Sequence, residues 1–172
     1  MGLPTGHRTP DAVPHVSASR FTGDMSTARH LARIDLLCAR EFPAEHGGSA
    51  APGPGGPGYH LAELSASGGL EQGDGHFPRA AVEEQYEAER DGLTALLTLR
   101  WGEPWIFGLG GVLLRALECG EEIPEPWASL SARVPDVHAW QTAGRWVALG
   151  VARLDPARPP RLLAVVTGID PP

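Results

Sequence analysis

Lysine and asparagine are missing altogether from the 172 residues, and all 14 basic residues are arginine. The arginines are scattered along the chain and outnumbered by 21 Asp and Glu, for a formal charge of -7. Nucleic-acid affinity needs clustered cations that displace counterions, so no nucleic-acid partner is expected. Cysteine is nearly absent: Cys38 and Cys119 lie far apart and neither belongs to a C-x-x-C motif, which excludes a disulfide framework and leaves reduced thiols as the expectation. Six of the seven histidines fall in the first 76 residues at wide spacing, and no pair has zinc-site intervals, so no metal is expected. No run reaches the roughly 18 to 20 apolar residues of a membrane span, and the N-terminus lacks an apolar core followed by a small-residue cleavage site. A cytoplasmic protein with no membrane association is the resulting expectation.

Motifs for cofactors are equally scarce. Gly108-Leu109-Gly110-Gly111 follows a candidate strand, but the third glycine of a dinucleotide fingerprint would stand at Leu113, and there is no lysine for a phosphate loop. The glycines read as tight turns, and no cofactor is expected. Glu118, Glu121, Glu122 and Glu125 lack the alternating acids and the glycine of a calcium loop, and they read as a solvated acidic loop.

What is present divides the chain in two. Residues 1–24 are Pro, Gly, Ser, Thr and His with isolated hydrophobes and read as disordered. In 26–42, Ser26 is placed as an N-cap, with Leu31, Ile34, Cys38 and Phe42 on one side at helical spacing. That predicts a short helix that docks loosely or frays; its arginines resemble a targeting helix, against which Asp35 and Glu41 speak. The segment 47–58 is Gly or Pro at nine of twelve positions and reads as a linker. The expected organisation is a largely disordered leader over 1–76, with a possible short helix and a Gly/Pro-rich linker, and a small α+β domain over 77–172.

Within that domain, 79–101 places Val82, Tyr86, Leu93, Leu96, Leu97 and Trp101 on one stripe, between Pro78 and the stop signals Gly102 and Pro104. Its outer face carries Glu83, Glu84, Glu87, Glu89 and Asp91, either a solvated face or a docking surface for a basic partner through Glu83, Glu87 and Asp91. Residues 105–109 predict a short strand, 112–119 either a buried helix or a strand, 121–126 an extended loop, and 127–131 a turn of helix after Pro126. The last forty residues predict a three-stranded antiparallel meander, with 136–142 and 145–154 joined by a two-residue turn at Ala143-Gly144 and 162–167 apolar on both faces. That turn pairs Trp140 with Val147 and His138 with Leu149, on a face assigned to the core beneath the long helix. The opposite face, with Trp146 and small residues, is expected to be shallow and either to take a partner or to be covered by 112–119. The fold class is therefore α+β: one long N-terminal helix packed on an antiparallel sheet that ends in the meander.

Five tryptophans lie between Trp101 and Trp146. Tryptophan serves both cores and interface hot spots, and Trp127 and Trp146 are the two assigned a surface role. Asp136 and His138 share a strand face, with Ser129 and Ser131 just upstream. They form an alternative pocket together with the acidic 118–125 loop, although there is no strained nucleophile elbow.

The runs EEQYEAERDGLTALLTLRWGEPW, EEIPEPWASL and DVHAWQTAGRWVALGV resemble a set of small uncharacterised proteins from high-GC bacteria, consistent with the missing Lys and Asn codons. The resemblance covers 77 to the C-terminus; it implies that this region is the domain and carries over no functional residue. The expected function is a non-enzymatic protein-interaction module, immunity-like or an adaptor, with a protein partner or a homodimer. The alternative is a small enzyme or ligand-binding protein at the Asp136–His138 pocket.

Overall fold

Ala143 and Gly144, at φ 50° and 73°, close a two-residue turn whose twist suits the strands it joins. In the computed structural model, which describes residues 18–44, 55–64 and 78–172, β4 (Asp136–Thr142) and β5 (Arg145–Ala152) pair with Trp140 opposite Val147 and His138 opposite Leu149. The register read from the turn is the observed one. A left-handed alanine costs about 1–2 kcal/mol. Ala143→Asn is therefore expected to raise stability by about 0.5–1 kcal/mol, read as a higher urea midpoint at unchanged slope.

Strand β6 (Arg161–Thr167) lies beside β5, and β2 (Tyr59–Glu63) pairs with the other side of β6 over five residues. The two-residue β1 (Gly55–Gly56) ends that side of the sheet, and β3 (Trp105–Gly108) ends the other, against β4. The sheet is antiparallel throughout, in the order β1-β2-β6-β5-β4-β3.

Helix layers cover both faces. On the first, α1 (Ala18–Ala39) brings Ile34 and Leu37, and α2 (Arg79–Trp101) brings Tyr86, Leu93 and Leu97, onto Trp140, Val147, Leu149, Leu162, Ala164 and Val166. On the second, α3 (Gly110–Cys119) and α4 (Trp127–Ser131) bring Val112, Trp127 and Leu130 onto Val137, Ala139, Ala148, Leu163 and Val165. The α+β class and the long helix on an antiparallel sheet hold. The double-sided apolar run of β6 follows from its place between two helix layers. Among the described residues no helix is long and apolar enough to cross a membrane.

Three expectations are corrected here. The boundary near residue 76 does not hold, because Ile34 and Leu37 are 0 % and 1 % exposed, β2 is an interior strand whose Leu61 and Ala62 are buried, and Leu64 just after it is buried too. The predicted helical stripe is real, but the helix begins at Ala18, so Ser26 is interior to it and not its cap. Of the expected linker, Gly55–Gly56 is a strand and Gly58, at φ 82°, turns the chain into β2; residues 47–54 lie outside the described residues, as do 1–17. Of the two readings left open for 112–119 the helix is the observed one, ended by the left-handed Gly120, and with α4 it covers the second sheet face, as one of the two expected outcomes had it. Gly150 permits that closure: a Cβ there would stand 2.5 Å from Val134 Cγ1.

Candidate functional site

The residues expected to bind a partner do not form one surface. Trp127, the first residue of α4, is fully buried, and its indole N–H donates to the Ile169 carbonyl at 3.0 Å. Its environment is core, because Pro126 starts the short helix that lies flat on the second sheet face. Trp146 is half-buried; its N–H donates to Asp170 at 2.9 Å, and its ring meets Phe107 edge-on at 6.0 Å. The acidic row on α2 is matched from within the chain. Glu83 pairs with Arg79 at 2.8 Å, Glu87 with Arg153 at 2.7 Å and Asp91 with Arg90 at 3.0 Å. Charges already neutralised at this distance leave little field for a basic partner.

Nor is the alternative pocket assembled. His138 faces α2, where Thr94 Oγ1 lies 2.9 Å from its Nδ1, and Asp136 accepts from Arg90 at 3.0 Å. Of the expected 118–125 loop, Glu118 belongs to the end of α3 and the rest joins α3 to α4 on the second face, so the sheet separates it from His138. Its acids have local partners: Glu121 pairs with Arg115 at 2.9 Å, and Glu125 accepts the Ser129 hydroxyl at 2.8 Å. The Ser131 hydroxyl donates to the Ala128 carbonyl, and neither serine shares a face with His138. Among the described residues no three His, Cys, Asp or Glu stand together as a metal site, and both thiols are free.

Burial works against the charged form of three histidine rings. Burial lowers the pKa of His30, His60 and His138, more than offsetting Glu89 and the Leu64 backbone at His30, the carbonyls of Glu41 and Arg40 at His60, and Asp91 and Asp136 at His138; nearby arginines add to the lowering at all three. The His60 Nε2–H donates to the Glu41 carbonyl at 3.0 Å, while its Nδ1 is buried without a partner. Since each folded pKa lies below the ordinary 6.5, the unfolded chain takes up protons that the folded chain refuses. The stability from keeping these rings neutral is fully present above about pH 6.5 and lost as pH falls toward the lowered values. Melting temperature is therefore expected to drop between pH 7.5 and 5, and replacing His60 by Gln should flatten that dependence.

Exposed large apolar side chains are spread over several elements, Leu99 on α2 and Leu117 on α3 among them, and two are neighbours on β3. Trp105 and Ile106 are 62 % and 66 % exposed on opposite faces of β3, the last strand of the sheet. Trp105 stacks on Phe107 at 6.4 Å with the rings 5° from parallel, and Phe107 in turn packs against Trp146. Trp146 is thus the inner end of an aromatic row whose outer member, Trp105, was not singled out from the sequence. Comparison of the chain with family models, with curated proteins and with solved structures gives no match.

Proposed function

We propose that this chain is a non-enzymatic protein-interaction module, immunity-like or an adaptor, whose partner is another polypeptide that lays an apolar extended strand along β3. The observation that carries the reading is the exposure of Trp105 and Ile106 on the two faces of an edge strand. One side of β3 pairs with β4, and its outer backbone donors and acceptors have no strand beside them among the described residues. Edge strands are ordinarily blunted by charge, by inserted proline or by bulges. Here the four residues Trp-Ile-Phe-Gly carry no charge and no proline. Strand addition supplies main-chain hydrogen bonds for affinity and side-chain contacts on alternate faces for specificity. A tryptophan pre-ordered by its stack on Phe107 loses little freedom on being covered, which suits a hot spot.

The test compares the full chain with Ile106→Lys as bait in the native host. A stoichiometric protein retained by the former and lost by the latter, with slowed amide exchange over 105–108 in the complex, is the expected result. Recovery of no partner, or of one that ignores the lysine, overturns the reading. A dimer of the isolated chain with protected 105–108 amides would put a second copy on this edge and overturn the hetero-partner assignment.

A further inference from the structure

The connection between β5 and β6 is held from both sides. From the first turn of α2, Arg79 donates to the carbonyls of Arg153 (2.7 Å), Asp155 (3.1 Å), Pro156 (3.4 Å) and Arg158 (2.7 Å). From the opposite layer, the Arg133 carbonyl accepts the N–H groups of Arg153 and Leu154 at 3.0 and 3.1 Å. Beyond the end of α4, this fixed connection leaves one corner of the second sheet face as a cleft of about 240 Å³, floored by Ala152 and Leu163. Arg161 stands two residues before Leu163 on β6, and Glu63 pairs with Leu163 from β2, so both lie on the same sheet face as the floor.

Four arginines line the cleft: Arg133, Arg153, Arg158 and Arg161. Three have carboxylate partners, Arg153 with Glu87 at 2.7 Å, Arg158 with Asp155 at 3.4 Å and Arg161 with Glu63 at 2.7 Å. Arg133 donates through Nε to the Ser129 carbonyl at 3.1 Å, and among the described residues it makes no ion pair. Glu63 and Asp155 also line the cleft and Glu87 stands beside Arg153, so four guanidinium groups face three carboxylates and the surplus positive charge is the one carried by Arg133. Guanidinium forks match phosphate oxygens two at a time, and a pinned connection holds them in place before any ligand arrives. The space equals that of roughly eight waters, enough for a phosphate and a small organic body.

We propose that this cleft binds the phosphate group of a small organic phosphate, with the organic part resting on Ala152 and Leu163. The site lies on the β2–β6–β5 side of the sheet, away from β3, and is independent of the strand-addition reading. Nitrogen-15-labelled full chain titrated at constant ionic strength with inorganic phosphate, phenyl phosphate and benzoate tests it. Saturable shifts of amides in 152–163 are expected, with phenyl phosphate saturating at lower concentration than inorganic phosphate. Arg133→Gln and Arg158→Gln should each raise Kd roughly tenfold, the usual effect of losing a charge-assisted contact. Arg115→Gln, on α3, should leave Kd unchanged. The Arg158 side chain is 75 % exposed, so that variant folds even if Arg133→Gln does not. Non-saturating shifts that chloride reproduces, an unaltered Kd in Arg158→Gln, or benzoate binding as tightly as phenyl phosphate would each overturn the proposal.

Discussion

A chain begun at residue 77 is expected not to fold. It would lack Ile34 and Leu37 above the first sheet face, and it would lack β2, leaving β6 as an open edge. Burial of Ile34, Leu37, Leu61 and Leu64 is worth roughly 6–12 kcal/mol before ordering entropy is subtracted, against a total of about 5–15 kcal/mol for an ordinary domain. The fragment should show no cooperative thermal transition and should aggregate through β6. Ile34→Ala and Leu61→Ala in the full chain are the graded form of the same test, each expected to cost about 2–4 kcal/mol in urea unfolding. A soluble 77–172 fragment that melts within a few degrees of the full chain would show that α1 and β2 are accessory.

Trp127→Ala and Trp140→Ala are expected to be equally damaging, at about 3–5 kcal/mol each. Trp140 is buried beneath α2, donates to the Gly102 carbonyl at 2.9 Å and meets Trp101 at 6.1 Å. Trp127 occupies the corresponding role on the other face, where its N–H satisfies the Ile169 carbonyl and ties the C-terminal residues to the α4 layer. Each truncation removes a large buried ring and the hydrogen bond that its indole N–H donates. Trp146→Ala keeps both cores and should cost only about 1 kcal/mol. The ordering Trp127 ≈ Trp140 > Trp146 separates two filled faces from a one-faced sheet, in which Trp127→Ala would be nearly neutral.

Local rules explain what was legible in the sequence. The Ala143-Gly144 turn, the stripe of α2 and the double-sided run of β6 depend on neighbours within a few residues, and each was read correctly except at Leu96, which was placed on the stripe and is exposed. The stripe Leu31, Ile34, Cys38 and Phe42 was equally visible, but its fate was misjudged: an isolated helix of that length is marginal, and the stabilising surface comes from α2 and from β6, elements that lie far along the chain. Trp127 was misplaced for the same reason, since nothing near Pro126 tells which layer α4 joins. The acidic face of α2 looked open because one of its counterions, Arg153, arrives from the far end of β5. The arginine cleft was invisible because it gathers residues from separate elements, and Trp105 because an uncharged run such as Trp-Ile-Phe-Gly reads as a buried strand whether or not a neighbour covers it.

Pairing β2 with β6 places a time order on the birth of the molecule. The Thr167 hydroxyl reaches the Gly58 carbonyl across 109 residues of sequence, and no nearer strand takes the place of β6 beside β2. The equilibrium cost of closing so long a loop is modest, because it grows only with the logarithm of length. The delay is not modest: at translation rates of about 5–20 residues per second, β2 waits roughly 5–20 s for its partner to be made. During that interval Leu61, Ala62 and Leu64 stand ready to pair with any passing strand. Until β6 is made, β2 lacks the strand that pairs along its whole length, the condition in which unpaired strand edges are prone to aggregate.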